Sequence, residues 1–458
     1  MNPPEQPGSF LPHGGILKKA FEHLQDGFSR LPPITSSETN AQDLERVLLD
    51  TADRLRDNYP YFHPLYAGQM LKPPHAVARL AYSLALSINP NNHALDGGRA
   101  SSAMEKEAVA ELARMLGWKT HLGHLCSGGT MANLEALWVG GQLAPGKKVL
   151  ASEQAHYTHR RISEVLKLEF EAVPCDGKGR MDVTALKKFL RQGRIGTIVA
   201  TLGTTAIGSV DPLSEILELR PRYGFRVHAD AAYGGYFGLA NNLSATTRKS
   251  FKYLGEADSI VIDPHKHGLQ PYGCGCVLFR DPSVGRLYEH DSPYTYFTSQ
   301  EMHLGKISLE CSRPGAAAVA LWATQKLLPL VKRGEFSGML TRCHAAALDL
   351  FEKLRADNRW LTAFAPELDI VVWLPRAGRV SEASRLARQV FAEVARLNLH
   401  LALADLPVDF FDLKAARIKR DAEVVTCLRS VLMKPEHSDW IQRIWEILDR
   451  AITRARKQ

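Results

Sequence analysis

The chain has 458 residues, 45% hydrophobic and 23% charged, with a formal net charge of +8. That length exceeds one ordinary hydrophobic core, so two or more units are expected from an otherwise ordinary globular composition. The basic charge is spread, with no long run of Lys and Arg, so no nucleic-acid partner is expected.

The N-terminus is polar and proline-rich and lacks the apolar core of a signal peptide. No stretch approaches the roughly 20 apolar residues of a membrane span. A cytoplasmic protein that does not contact membrane is therefore expected. The seven cysteines are scattered and odd in number, which argues against a secreted disulfide framework. Cys274 and Cys276 lack a second pair at zinc spacing, so they read as packed small residues and no metal is expected.

Residues 1–60 read as an N-terminal arm. Within it, 41–59 carries Leu44, Val47, Leu48, Ala52 and Leu55 at helical spacing, an apolar face that needs a partner surface such as another subunit. Residues 61–74 and 89–99 read as loops, and 104–116 as an amphipathic helix. A short strand at 121–126 then meets Ser127, Gly128, Gly129 and Thr130, followed by a helix at 131–139. Strand, Gly-rich turn and helix start together form an anion site, although a plain helix cap has the same pattern.

The strand 148–152 leads to His156 and His159, each of which alone reads as a hydrogen-bonded structural histidine. The strand 197–202 ends at Gly203, Thr204 and Thr205, whose hydroxyls can meet a ligand. A helix at 212–223 precedes the strand 225–229, which delivers Asp230. That carboxylate follows a buried run and needs a cation or a donor, unless it only caps a helix.

The strand 259–262 runs into Pro264, His265 and Lys266, then through turns at Gly268, Gly273 and Gly275 to a second β run at 276–279. An amine held at a strand end is partly desolvated, which lowers its pKa and makes it a nucleophile for a carbonyl. A solvated loop lysine is the plain alternative.

Repeated strand, loop and helix from about 120 to 280 imply a parallel sheet covered on both faces. Ligands of such sheets bind beyond the carboxyl ends of the strands. Thr130, His156, Thr205, Asp230 and Lys266 all fall there. Residues 290–301 form a polar aromatic loop that reads as a lid, and 312–328 a small-residue helix. A long helix follows to about 354. From about 360 the pattern becomes compact α+β. The expected division is an arm at 1–60, a large domain at 61–355 and a small one at 356–458.

A nucleophilic lysine, a buried aspartate, an anion-binding helix start and a histidine able to stack are what pyridoxal 5'-phosphate requires. The chain also resembles a known family over roughly 61–435. SGGTMANLEAL, LGTTAIGSVDPLSEI, HADAAYGG and DPHKHGLQPYG, with the run SRPGAAAVALW, look like those of the group II pyridoxal-phosphate-dependent decarboxylases. That family includes the aromatic amino acid, glutamate and archaeal tyrosine decarboxylases. The resemblance implies an α/β fold of type I, like aspartate aminotransferase, with a mainly parallel central sheet and a smaller α+β C-terminal domain.

The resemblance also implies residue roles. Lys266 would be the Schiff-base lysine and Asp230 the partner of the pyridinium nitrogen. His156 would stack on one ring face, with Ala232 against the other and Thr205 near the ring. Gly128, Gly129, Thr130 and His265 would hold the phosphate. Tyr294, with Tyr296 as its rival, would be the loop tyrosine that helps protonate the carbanion. Arg429 would receive the substrate carboxylate. Family members are homodimers whose sites draw on both subunits.

After Lys266 the chain carries His267, Gly268 and Leu269, where aromatic decarboxylases have large apolar residues. There it looks more like archaeal tyrosine decarboxylases and sphingosine-phosphate lyases. The favoured expectation is an α-decarboxylase acting on an L-amino acid. The alternatives are a carbon–carbon lyase using the same cofactor, and a non-catalytic binding or regulatory protein that kept the fold.

Overall fold

The chain between 120 and 280 folds as one seven-stranded sheet, and the rest of the molecule is arranged on it. A computed structural model describes residues 13–33, 40–289 and 302–457. The strands are β1 (Leu122–Cys126), β2 (Lys148–Ser152), β3 (Phe170–Val173), β4 (Ile195–Thr201), β5 (Arg226–Asp230), β6 (Ser259–Ile262) and β7 (Gly275–Phe279). Their order across the sheet is β1-β7-β6-β5-β4-β2-β3.

From β3 to β6 every pairing is parallel, whereas β7 runs antiparallel to both β6 and β1. The reversal has a local cause. The connection from β6 to β7 carries no crossover helix, and it turns back through Gly273 at φ 91°. A parallel return needs a dozen or more residues, usually with a helix. Strands β4 and β6 are buried at every position. Both faces are covered, so alternation gives way to continuous apolar runs such as Ser259–Ile262.

A second sheet has the order β10-β11-β9-β8, with β8 (Trp360–Thr362), β9 (Ile370–Pro375), β10 (Ala402–Pro407) and β11 (Val424–Val431), all antiparallel. The amphipathic helices Glu335–Ala356 and Val380–Arg396 pack on it, and His437–Ala455 packs against both helices. Trp360, Trp373, Leu386, Val390, Leu428, Ile444 and Leu448 form their common core. The fold is therefore α/β with a mostly parallel central sheet and a smaller antiparallel one.

Some elements differ from expectation. Residues 89–99 do not form a loop throughout, because a helix starts at Leu95 and runs to Met115. It breaks at Gly98, with φ −165° and ψ 59°, where a Cβ would lie 2.6 Å from Ser101 Oγ and 2.8 Å from Asn92 Oδ1. Glycine at 98 lets the helix approach the Asn92 side chain. The helices Gly14–Asp26, Ala76–Leu86 and Val183–Arg191, and the strands β3, β8 and β10, were not foreseen.

The arm helix spans Ala41–Leu55, and none of its residues is buried; Leu44, Val47, Leu48 and Leu55 are exposed. Among the described residues no helix is long and apolar enough to cross a membrane.

Candidate active site

Six strands, β1 to β6, end at the same edge of the central sheet, and β7 begins there. The register places Thr201 beside Asp230 and Asp230 beside Val261. Loops leaving these ends enclose a cavity of about 290 Å³. It is lined by Gly128, Gly129, Thr130, His156, Thr205, Asp230, Ala232, His265 and Lys266, all of them expected site residues. Ser127, Asn133, Thr201, Tyr233 and Asp263 also line it.

One wall is the start of the helix Gly129–Leu143. No side chain caps it. Its first N–H groups are therefore left without intrahelical partners, at the positive end of the helix dipole. The turn is crowded from behind. A Cβ on Gly129 would sit 2.7 Å from Asp263 Oδ2, and one on Gly275 would sit 2.5 Å from Gly128 Cα. Only glycine lets β7, the Asp263 carboxylate and this turn come together.

Lys266 follows β6 on a turn and is partly buried. Its Nζ lies 2.9 Å from Asp263 Oδ2. The imidazole of His265 lies 3.6 Å from the same oxygen and stacks on Tyr272 with ring centroids 4.7 Å apart. Burial pushes the His265 pKa down, against the pull of Asp263. Asp263 Oδ1 and His265 Nδ1 have no hydrogen-bond partner among the described residues.

Asp230 ends β5 and is buried. Its Oδ2 accepts a hydrogen bond from His159 Nε2 at 2.8 Å, and its Oδ1 accepts from the Ala232 N–H at 3.2 Å. Burial by itself raises the carboxyl pKa. The hydrogen bond and charge of His159, assisted by Lys266, outweigh burial and hold Asp230 below the usual carboxylate range. His156 is half-buried, with Nδ1 2.7 Å from Thr158 Oγ1, and burial lowers its pKa.

One expected residue stands apart from this cavity. Arg429, on β11, does not line it. Its Nε donates to Ala206 O at 2.8 Å, Nη1 to Gly68 O at 2.9 Å and Nη2 to Thr205 O at 2.6 Å. The guanidinium is buried and donates to three carbonyls, one of them that of Thr205, which itself lines the cavity. Tyr294 and its rival Tyr296, with the whole 290–301 loop, lie outside the described residues.

Sequence reasoning missed Asp263, three residues before Lys266, although the run DPHK prints it. It also left His159 as a structural histidine. Its spacing of three from His156, across a helix start, was the available signal. Tyr233 was missed as well: its OH donates to Asp369 Oδ1 at 2.5 Å, fastening the cavity wall to the second sheet.

The donor set suits a phosphorylated pyridine aldehyde. The uncapped helix start offers N–H groups to a phosphate. Lys266 offers an amine, Asp230 an anion of depressed pKa, and His156 an aromatic face. Unpartnered polar atoms at Asp263 and His265 remain available beside them. The residues present therefore fit pyridoxal phosphate.

Comparison with known proteins agrees. The family model described as the pyridoxal-dependent decarboxylase conserved domain matches residues 141–374. A probable L-tyrosine/L-aspartate decarboxylase of Methanothermobacter thermautotrophicus is 31% identical over 263 residues, 57% of this chain and 70% of that protein. An L-tyrosine decarboxylase of Enterococcus faecium is 27% identical over 385 residues, 62% of this chain and 63% of that protein, so the chain spans less than two thirds of its length. Among solved structures, Oryza sativa TDC with PLP and tryptamine superposes with a TM-score of 0.76 at 18% identity, covering 98% of this chain and 99% of that one. Mouse CSAD gives 0.75 at 20% identity, with 94% and 91% covered. At such identities these two structures speak for the fold alone.

Proposed function

The chain belongs to the pyridoxal-dependent decarboxylase family, and on that premise we propose how its residues divide the work of removing the α-carboxylate of an L-amino acid. The observation that carries the reading is the convergence of Lys266, Asp230 and an uncapped glycine-rich helix start in one cavity. When bound, pyridoxal phosphate supplies the electron sink that takes up the electron pair left by departing carbon dioxide.

The chain's own groups do the rest. Gly128, Gly129 and Thr130 donate N–H groups to the phosphate, with His265 beside them. Lys266 Nζ would be the amine that holds the cofactor through its aldehyde carbon. Asp230 stays anionic and so keeps a proton on the pyridine nitrogen. His156 and Ala232 hold the ring between them, and Thr205 borders it. Tyr294 delivers the proton to Cα.

The named relatives favour L-tyrosine as the first substrate to try, with L-aspartate second. The exposed apolar face of the helix Ala41–Leu55 supports a homodimer in which each arm packs on the other subunit. We divide the chain into the arm 1–60, a cofactor-binding domain 61–355 and a C-terminal domain 356–458. The free cysteines fit a reducing compartment, the cytoplasm.

The test is direct. The purified protein, loaded with pyridoxal phosphate, is incubated with each L-amino acid, and amine and carbon dioxide are measured. Stoichiometric amine and carbon dioxide from one amino acid support the reading. Turnover of an amino alcohol phosphate to an aldehyde, with no carbon dioxide from any amino acid, would replace it with a carbon–carbon lyase.

A further inference from the structure

Asp230 is gripped from within the chain. His159 Nε2 reaches its Oδ2 at 2.8 Å, across 71 residues of sequence. Both side chains are buried, and His159 is 0% exposed. His159 sits in the first turn of the helix Thr158–Val165, whose first residue also holds Nδ1 of His156. One helical turn therefore orients both the stacking histidine and the aspartate.

The surroundings leave His159 a single strong partner. Its Nδ1 has none among the described residues. The ring of His228 stands 6.4 Å away at 69°. His228 is itself fixed between Asn133 Oδ1 at 2.7 Å and Ser259 Oγ at 2.9 Å. Burial drives its pKa down to about 3, so it is neutral and does not compete for Asp230. Because an anionic carboxylate only accepts, the hydrogen bond to Asp230 requires the proton on His159 Nε2.

We propose that His159 is a positioning residue that acts through Asp230, holding it as an oriented carboxylate and so keeping the pyridine nitrogen of the cofactor protonated. The physical reason lies in burial. A buried carboxylate stripped of its donor takes up a proton or swings toward another donor. In either case it no longer holds a proton on a pyridine nitrogen. This rests on the assignment of Asp230 to that nitrogen. A helix-to-strand bolt with no chemical effect is the competing account.

The experiment loads the holoenzyme with pyridoxal phosphate labelled with nitrogen-15 in the ring and reads the ring nitrogen by NMR. Wild type, His159→Phe and His159→Gln are compared, Gln because its amide N–H can replace Nε2. The expected result is a protonated nitrogen in wild type and in His159→Gln, and a shift toward the unprotonated value in His159→Phe. Cofactor affinity in His159→Phe should fall roughly 10–100-fold, as when a buried group orienting a charged ligand is removed. A protonated nitrogen and unchanged affinity in His159→Phe would overturn the proposal and leave the bolt. An unprotonated nitrogen in wild type would instead defeat the assignment of Asp230. Should His159→Phe not fold, histidine-labelled wild type decides. A proton on His159 Nε2 is expected, and the tautomer protonated only on Nδ1 overturns the proposal.

Discussion

Lys266 Nζ lies 2.9 Å from Oδ2 of Asp263, three residues back along the same turn. The pair holds the amine at the mouth of the cavity, next to the uncapped helix start. Asp263 is 2% exposed in its side chain, so its position is fixed by packing rather than by solvent. The lysine, at 21%, is the freer partner and the one able to move.

Replacing Lys266 with Ala should abolish turnover, by at least several orders of magnitude, since no other amine lines the cavity among the described residues. The fold should persist, because Lys266 is only partly buried. Cofactor is expected to bind still, without a covalent link that borohydride can trap. Circular dichroism, borohydride trapping and amine assay separate these effects. Normal amine formation by the variant would remove Lys266 from its role.

In sequence, Tyr294 falls between the Lys266 region and the helix Gly315–Leu327. Its proposed task is to protonate Cα after carbon dioxide leaves. Changing Tyr294 to Phe should spare cofactor binding and lower amine formation at least tenfold. Protonation elsewhere should rise, giving aldehyde and aminated cofactor. Amine and aldehyde are measured together. An unchanged rate and ratio, with a fall instead in the Tyr296→Phe variant, would transfer the role to Tyr296.

Arg429→Met should act first on stability. The guanidinium donates to the carbonyls of Gly68, Thr205 and Ala206. Its removal leaves these without their charged donor, at a cost on the order of 3–5 kcal/mol. A lower urea midpoint with a displaced Thr205 turn is the expected outcome. Undiminished stability with only a raised KM would instead support Arg429 as the residue that receives the substrate carboxylate.

Acid should weaken the fold early. Burial lowers the pKa of His228 and of His437 from 6.5 to about 3. Between those values the unfolded chain binds the extra protons, so their contribution is complete above about pH 6.5 and is lost as pH falls. Asp211 opposes this: burial raises its pKa to about 7, so the folded state holds its proton longer. The two histidines outweigh the one carboxylate, so stability falls as pH drops below about 6.5. Urea unfolding between pH 7.5 and 5 measures it, and a midpoint that rises on acidification would contradict the assignment.

The sequence by itself determined the local pieces. The runs at 148–152 and 259–262 are strands of those bounds because continuous apolar β-formers lie between turn residues. The positions of Asp230 and Lys266 at the carboxyl edge followed from the same alternation. So did the glycine turn at 128–129, where backbone approaches backbone. These features depend on neighbours within a few residues, and such neighbours are printed in the chain.

Only the tertiary structure decided which distant groups meet. His159 could be read as a structural histidine until β5 brought Asp230 to 2.8 Å from it. Nor could the sequence show that Arg429 donates to the carbonyl of Thr205, 224 residues away. Residues 89–99 read as a loop, whereas in the fold a helix starts at Leu95 and its break at Gly98 lies against Asn92. Periodicity records which face of an element is buried, whereas the partner of a buried charge is set by the order of strands across the sheet.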